Sequence, residues 1–359
     1  MLRTTGSAAR VRSDDRRASS RPHAGPGHTR RRTTARAQRG AALLLAMVAV
    51  TLIVTLAGAM VWQQHRAIQV EAAERARSQA GWILLGALDW SRLILREDAR
   101  TGSVDHGGEP WATPLAEARL STFLAAEKGV ATQDDGPEAF LSGSIEDAQA
   151  RYNLRNLINA EGKLQAAEVA TLTRLCTAAG VPGDTATRIA QALVSSWSIK
   201  TDEGGGTARD AGRDTVRPLP VRRFEHLAWL GIEPGTLKAL RASTDILPTP
   251  TPINVNTAPR EVLSAVLNVD LGVAERIVQR RQRNPFEALG NLQPLVPDGT
   301  KLEPQRVGVS TAHFEVSGRL RLDERVLEER SLVMRRGSGN GTEVLTLHRE
   351  RRSLQLEPS

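Results

Sequence analysis

The sequence holds a single cysteine, Cys176, so no disulfide can form within the chain. Cysteine usage therefore does not report the redox compartment. Cys176 follows Leu175 in a segment of helical apolar spacing, which predicts a buried, unreactive thiol rather than a nucleophile or a metal ligand. The C-x-x-C and H-E-x-x-H metal motifs, the Walker loop and the G-x-S-x-G elbow are all missing. We therefore predict that the protein is not an enzyme.

Acidic residues are scarce in positions 1–40, which contain eleven arginines against two acids, Asp14 and Asp15. This leader alone contributes +9 to the net charge of +8, which leaves the rest of the chain at about −1. The basic balance thus belongs to the leader and gives no support to nucleic-acid binding by the folded part. Large apolar side chains are also nearly absent from residues 1–39, which predicts a disordered segment.

Charge is missing altogether from residues 41–62, an apolar run of 22 residues. At about 1.5 Å per residue, a helix of this length crosses a hydrocarbon core of about 30 Å. Five arginines between positions 30 and 39 precede the run, whereas the segment after it mixes both signs. The positive-inside rule then places the N-terminus in the cytoplasm and the rest of the chain across the membrane.

Proline is absent from residues 63–98, and apolar residues recur there at helical spacing from Ile68 to Trp90. The apolar run and this amphipathic segment therefore predict one continuous helix of roughly 60 residues, about 90 Å long. A secretory signal peptide would end at a small-residue cleavage site, for which Ala57-Gly58-Ala59 is a weak candidate. The unbroken helical pattern favours an assembly element over a cleaved signal.

The remaining sequence predicts a helical region enclosed by strands. Gly and Pro residues in 102–114 end the long helix, and residues 140–145 predict a short strand. Alternating apolar residues predict C-terminal strands at 314–322, 327–334 and 344–347. Helices are predicted between them at 163–179, 184–197, 221–230, 236–243, 258–268 and 272–283. The predicted fold class is α+β: a long N-terminal transmembrane and amphipathic helix, and a small antiparallel sheet with a large helical insertion.

Gly40 stands between the basic leader and the apolar run, in the string QRGAALLL. A glycine at such a boundary is, on its own, a flexible joint. Together with the long helix and the later strands, Gly40 and Ala41 resemble the cleavage site of type IV prepilins and pseudopilins. This resemblance implies that a prepilin peptidase cuts after Gly40 and that the new amine of Ala41 is methylated.

Most members of that group carry Glu as the fifth residue of the mature chain, where this sequence has Leu45. That Glu neutralises the N-terminal ammonium of a neighbouring subunit, because an unpaired charge in lipid costs several kcal/mol. The protein K minor pseudopilins of type II secretion systems resemble this chain in lacking the Glu, which fits a subunit at the end of a filament.

Four further segments resemble the protein K family, in the same order along the chain. They are residues 105–111 (DHGGEPW), 151–157 (RYNLRNL), 253–259 (INVNTAP) and 313–316 (HFEV). The resemblance implies a pseudopilin fold that is anchored in the bacterial inner membrane by a single span, with its C-terminal domain in the periplasm. It also implies complexes with the I and J minor pseudopilins, contact with the secretin or secreted cargo, and a role in initiating or capping the filament during protein export.

The corresponding domain plan has seven parts. They are a basic leader (1–40), a transmembrane segment (41–62), its amphipathic continuation (63–100), the start of the pseudopilin α/β domain (101–160), the helical insertion (161–300), the C-terminal strands (301–350) and a tail (351–359).

Residues 256–283 also predict a helix-hairpin-helix unit, with Asn256 or Thr257 as N-cap and Pro259 at the first helical position. In DNA-binding versions a Gly-rich hairpin brings backbone N–H groups to a phosphate. Here the hairpin, residues 268–272, holds one glycine, and Asp270 would repel phosphate. The arginines of the second helix are explained as a solvated face. A membrane-anchored DNA receptor of the competence type is the rival hypothesis, and it leaves the C-terminal strands unexplained.

Protein K subunits usually carry an acid-rich calcium loop after an Asp-Trp pair in the helical insertion. Calcium takes six to eight oxygen ligands. Here Ser196 precedes Trp197, and the first acids of the loop are missing. Four acids remain nearby: Asp202, Glu203, Asp210 and Asp214. Four basic residues in the same loop offset their charge. We therefore predict a degenerate calcium loop, and neither a metal nor another cofactor.

Overall fold

The computed structural model describes residues 38–121, 139–197, 219–322 and 325–355. Contacts divide these residues into two units, the first ending at Ala72 and the second beginning at Ala73. The described part of the first unit is entirely helical. It belongs to helix α1, Gln38–Thr101, which runs for 64 residues without a break. The continuous helix predicted from the missing prolines is therefore confirmed.

Nine strands lie among the described residues of the second unit. In chain order they are β1 Leu115–Arg119, β2 Ala139–Asp147, β3 Tyr152–Asn153, β4 Thr244–Asp245, β5 Ile253–Asn254, β6 Val307–Gly308, β7 His313–Leu322, β8 Arg325–Arg336 and β9 Glu343–Gln355. Five of them form one antiparallel sheet in the order β1-β2-β7-β8-β9. The short strands pair in parallel, β3 with β4 and β5 with β6.

The second half of α1 covers one face of this sheet. Its buried side chains recur at helical spacing, so they form one stripe: Ala80, Leu84, Leu88 and Leu95. They pack on inward-facing residues of the strands, including Leu141, Phe314, Leu320 and Val333. This helix-on-sheet layer is the core of the part of the second unit that contains the five-stranded sheet.

A helical insertion separates β2 from its partner β7. It contains α2 Ala166–Ala178, α3 Asp184–Trp197, α4 Pro234–Leu240, α5 Arg260–Leu267 and α6 Leu271–Arg283. These helices bury their own apolar cluster, whose fully buried members include Leu157, Leu172, Ile189, Leu193, Leu263 and Ile277. The predicted α+β fold class is confirmed.

Some local predictions were wrong. Residues Phe224–Leu230 form a 3-10 helix rather than an α-helix. Pro259 is the N-cap residue of α5 and not its first helical residue, since the backbone becomes helical only at Arg260. Strand β1 was not predicted, and β9 extends well beyond the expected residues 344–347.

Candidate functional site

The first part of α1 is an apolar helix whose side chains are exposed. Its most apolar 18-residue window has a mean hydropathy of 2.5, and none of that window is buried. Large apolar side chains from Leu43 to Trp62 are more than half exposed throughout. Because such a surface is unstable in water, this segment is suited to lipid or to packing against other apolar helices.

The residues of the predicted cleavage site lie at the beginning of this helix. Gly40 and Ala41 are exposed and helical, and outside the helix's own backbone no described residue comes within 4 Å of the position that a Cβ of Gly40 would occupy. Leu45 is 75% exposed on the same helix. None of the described residues covers these three positions.

The second part of α1 presents a further apolar surface on the side away from the sheet. Trp82 is 72% exposed and Leu93 is 55% exposed. Gly86 lies between them at helical spacing, and nothing approaches within 4 Å of its hypothetical Cβ. We call Trp82, Gly86 and Leu93 the outer stripe. A large ring beside a notch is a shape that another helix can fill.

The end of α1 is fixed by a carboxylate cluster that includes the first motif segment. Nη1 of Arg335 in β8 is 2.7 Å from Oδ2 of Asp98, and its Nη2 contacts Oδ1 of Asp105. The carboxylates of Asp98, Asp105 and Glu109 offer oxygens within 4.8 Å of one another. Burial, followed by the negative charge of Glu109, raises the pKa of Asp98 to about 6. Arg335 therefore supplies the cation of this cluster.

Trp111 and Glu109 of the first motif segment have structural roles. Trp111 is 3% exposed and packs edge-on against Phe314, with ring centroids 5.2 Å apart. Its Nε1 donates to Glu109 Oε2 at 2.7 Å, and the backbone N–H of His106 donates to the same oxygen. His106 and Trp111 are therefore held in the turn that follows α1 by contacts within the protein.

Arg151 of the second segment joins the helical insertion to the sheet. Its Nη2 lies 2.9 Å from Asp245 Oδ2 in β4 and 2.6 Å from Glu315 Oε2 in β7. Arg241 adds a second cation, 2.9 Å from Asp245 Oδ1. All of these charges are at least partly withdrawn from water, so each is held by its partners.

The third segment connects to the first through buried polar side chains. Nδ2 of Asn254 donates to the backbone oxygen of Asp105 and to Oδ2 of Asp147, both at 2.9 Å. Thr257 Oγ1 donates to the same Asp147 oxygen at 2.6 Å. Complete burial raises the pKa of Asp147, although these hydrogen bonds oppose the rise. We call the four segments and these partners the motif junction.

The expected N-caps of the hairpin unit have other partners. Asn256 exchanges two hydrogen bonds with the backbone of Phe286, at 3.0 and 2.8 Å. It therefore connects the hairpin unit to the next segment instead of capping α5.

The sequence predicted that the arginines of the second helix form a solvated face. This prediction is wrong for one of them. Arg281 is turned inward, and its Nη1 donates to the carbonyls of Val255 and Ala258 at 2.6 Å. Burial lowers its pKa to about 10. Asp270 Oδ1 accepts from the Val273 N–H at 2.9 Å and so caps α6 where a phosphate would bind.

Cys176 lies in α2 and is buried. Burial raises the pKa of its thiol to about 11, with a smaller contribution from Asp184. The thiol is therefore protonated at neutral pH, as the unreactive cysteine predicted from the sequence requires. Asp202, Glu203, Asp210 and Asp214 of the expected calcium remnant lie outside the described residues.

Sequence reasoning missed Arg335, Asp147 and Glu329, which carry much of the buried polar structure. Glu329 is 3% exposed on the face of β8 that α1 covers, and it pairs with Arg351 of β9 at 2.7 Å. A signal was present, because Glu329 occupies an inward position in the alternation of β8 between Leu327 and Val333. The partners of these three residues lie far away in the sequence, so no local sequence pattern could predict the pairs.

The sequence model of the family described as type II secretion system protein K matches residues 253–310. The type II secretion system protein K of Pseudomonas aeruginosa is 27% identical over 305 residues, covering 81% of this chain and 86% of that protein. The protein of the same name from Pectobacterium carotovorum is 29% identical over 322 residues, covering 82% and 92%.

A solved structure is similar as well. The fold matches a chain of the crystal structure of the GspK–GspI–GspJ complex from the type 2 secretion system of enterotoxigenic Escherichia coli, with a TM-score of 0.57 and 19% identity. The match covers 78% of this chain and 98% of that one. Together with the motif junction and the apolar helix, these similarities confirm the resemblance of this chain to the type II secretion system protein K family of minor pseudopilins.

Proposed function

We propose that this chain is a minor pseudopilin, that it lies at the periplasmic tip of the type II secretion pseudopilus and that it initiates or caps the filament. Leu45 is the observation that carries the proposal. A subunit with leucine at the fifth mature position cannot neutralise the terminal ammonium of a neighbour, and an unpaired charge in lipid costs several kcal/mol. A subunit at the end of the filament escapes this requirement. From the tip the chain would meet the secretin or the secreted cargo.

Processing and topology belong to the same proposal. Prepilin peptidase removes the basic leader after Gly40, and the apolar part of α1 anchors the mature chain in the inner membrane. The flanking arginines keep the N-terminus in the cytoplasm and leave the second unit in the periplasm. The exposed, uncharged surface of residues 41–62 supports this arrangement.

The I and J minor pseudopilins are the proposed partners of the outer stripe. The matched structure is a complex of GspK with GspI and GspJ. If another helix buried Trp82 and Leu93, each side chain would contribute about 1.5–3 kcal/mol to the free energy of association. This is enough to make the outer stripe a principal contact. Gly86 would let the partner backbone approach closely.

Co-purification tests the partnership. The full chain should be co-expressed with the I and J pseudopilins and the prepilin peptidase of its own secretion system, solubilised in detergent and captured through the chain. Trp82→Ala with Leu93→Ala should lower recovery of I and J at least tenfold. Leu271→Ala is the matched control, because Leu271 is 52% exposed but lies on α6. Equal loss in the control and the double variant would refute the assignment of the outer stripe.

The tip position needs a separate measurement. When the major pseudopilin is overproduced and the filaments become visible, gold label on a C-terminal tag of this chain should mark only one end of each filament. Label distributed along the filaments would show an ordinary shaft subunit.

A further inference from the structure

A wide cleft separates the helical insertion from the face of the sheet opposite α1. Its volume is about 850 Å³. One wall is formed by the insertion near Trp197 and residues 220–226, and the other by the outward side chains of β7, β8 and β9. The motif junction holds these two walls through Arg151, Asp245 and Glu315 without closing the cleft.

The cleft carries an excess of positive charge. Four carboxylates line it: Glu225, Asp245, Glu315 and Glu350. Six arginines line it as well: Arg155, Arg222, Arg223, Arg241, Arg330 and Arg352. His226 and His348 also line the cleft, and burial followed by the charge of Arg223 lowers the pKa of both, which keeps them neutral at neutral pH. The lining therefore has two more positive than negative groups.

Two of the arginines have no carboxylate partner among the residues that the structure describes. Arg155 lies over the ring of Trp197, with its guanidinium carbon 4.3 Å from the ring centroid. Arg222 is exposed, and its hydrogen bond to His226 uses only the backbone N–H. The other four arginines are each within 4 Å of an acid. Arg155 and Arg222 are thus the cations available to a ligand.

Strand β9 borders the cleft and forms one edge of the five-stranded sheet. It pairs with β8 along one side, and no described strand pairs with the other side. Its backbone groups on that side can therefore accept an added strand. Leu347, His348, Glu350 and Arg352 of β9 face the cleft, so a strand added there would place its own side chains beside it.

The charges on β9 decide between possible occupants. Residues 348–352 read His-Arg-Glu-Arg-Arg, with three arginines and one acid. Two copies of this edge would oppose like charges, which disfavours self-association. The arginines of β9 already have acidic partners in this chain, so the acids of an added strand would instead meet Arg155 and Arg222, which line the cleft. We propose that the edge of β9 and the adjoining cleft form a docking surface for an extended, acidic segment of a partner polypeptide.

Fluorescence anisotropy with synthetic peptides tests this docking surface on the full chain in detergent micelles. The probe is a labelled twelve-residue peptide of alternating valine and glutamate. Two control peptides have the same length. One alternates valine with lysine and so reverses the charge, and the other alternates proline with glutamate, which keeps the charge but removes the backbone N–H donor at every proline. The valine-glutamate peptide should bind at least tenfold more tightly than either of the others, and hydrogen exchange should slow in residues 348–355.

Charge-removing variants identify the surface. Arg155→Gln with Arg222→Gln should weaken binding of the valine-glutamate peptide about fivefold or more, whereas Arg283→Gln, which removes an exposed charge from α6, should not. Circular dichroism melts verify that all variants fold. Equal binding of the lysine or proline peptide, absence of binding, or equal effects of the double variant and Arg283→Gln would each overturn the proposal.

Discussion

Gly81 of α1 lies directly against the guanidinium of Arg351 in β9. A Cβ at Gly81 would be 2.7 Å from Nη1 of Arg351, which is too close for contact. Arg351 in turn binds the buried carboxylate of Glu329 through Nε and Nη2, at 3.1 and 2.7 Å. The glycine therefore creates the space for an ion pair between a partly exposed arginine and a buried carboxylate.

We expect Gly81→Ala to lose part or all of the gain of about 1 kcal/mol that alanine gives in a helix. The guanidinium of Arg351, which is partly exposed, must shift to make room for the Cβ, and the buried carboxylate of Glu329 then depends more on Arg349, 3.2 Å away. Gly86→Ala is the matched control in the same helix, because its Cβ meets nothing, and it should raise stability by up to about 1 kcal/mol. Thermal melts in detergent that show both alanines stabilising to the same extent would contradict this role of Gly81.

Asp98 should make stability depend on pH in an unusual direction for an aspartate. Its folded pKa, about 6, lies above the ordinary value of 3.8, so the folded state binds more protons between these values. Stability from this group is therefore greatest at low pH and is lost as the pH rises through about 6. Melts at several pH values should show wild type gaining stability relative to Asp98→Asn as the pH falls from 7.5 to 4.5. A constant difference would show that Asp98 has an ordinary pKa.

Much of the architecture could be predicted because its signals are local. Helix α3 has the predicted bounds, since its apolar residues repeat at helical spacing up to Trp197. Gly180 and Gly231 end their segments with φ of 69° and 79°, the left-handed conformation that favours glycine. The long α1 followed from the absence of proline and from the apolar periodicity.

The failures have tertiary causes. Strand β1 reads Leu-Ala-Glu-Ala-Arg, which favours helix, and it is extended because it pairs with β2. The charged half of β9 has a weak strand pattern, but Arg351 and Arg352 lie opposite Glu329 and Glu328 in β8. Arg281 looked like a surface charge because the carbonyls it binds belong to another segment. Pairing partners far away in sequence decided all three.

The mature chain should not bind duplex DNA strongly. Asp270 occupies the N-terminal amides of α6 through its bond to Val273, and Arg281 is committed to backbone carbonyls. We expect no binding tighter than micromolar at physiological salt. The unprocessed chain is the control, because its eleven leader arginines should bind DNA with a steep salt dependence. Tight, salt-sensitive binding by the mature chain would favour the DNA-receptor hypothesis.

Calcium should leave the melting temperature of the mature chain unchanged. A calcium site stabilises a protein by binding only its folded state, and a filled carboxylate cage would raise the melting temperature by several degrees. Here the acids Asp202, Glu203, Asp210 and Asp214 are offset by Lys200, Arg209, Arg213 and Arg217. Melts in millimolar calcium and in chelator should coincide. A calcium-dependent rise that Asp210→Asn or Asp214→Asn abolishes would reveal a rearranged site.

Processing of the N-terminus tests most directly whether this chain enters a pseudopilus. An apolar helix can join a filament in the membrane only after the arginine-rich leader has been removed. Intact mass and N-terminal sequencing of the chain from cells with active prepilin peptidase should show a mature protein that begins at Ala41 with a methylated amine. A mature chain beginning at Met60, or one that retains its leader in those cells, would contradict the account.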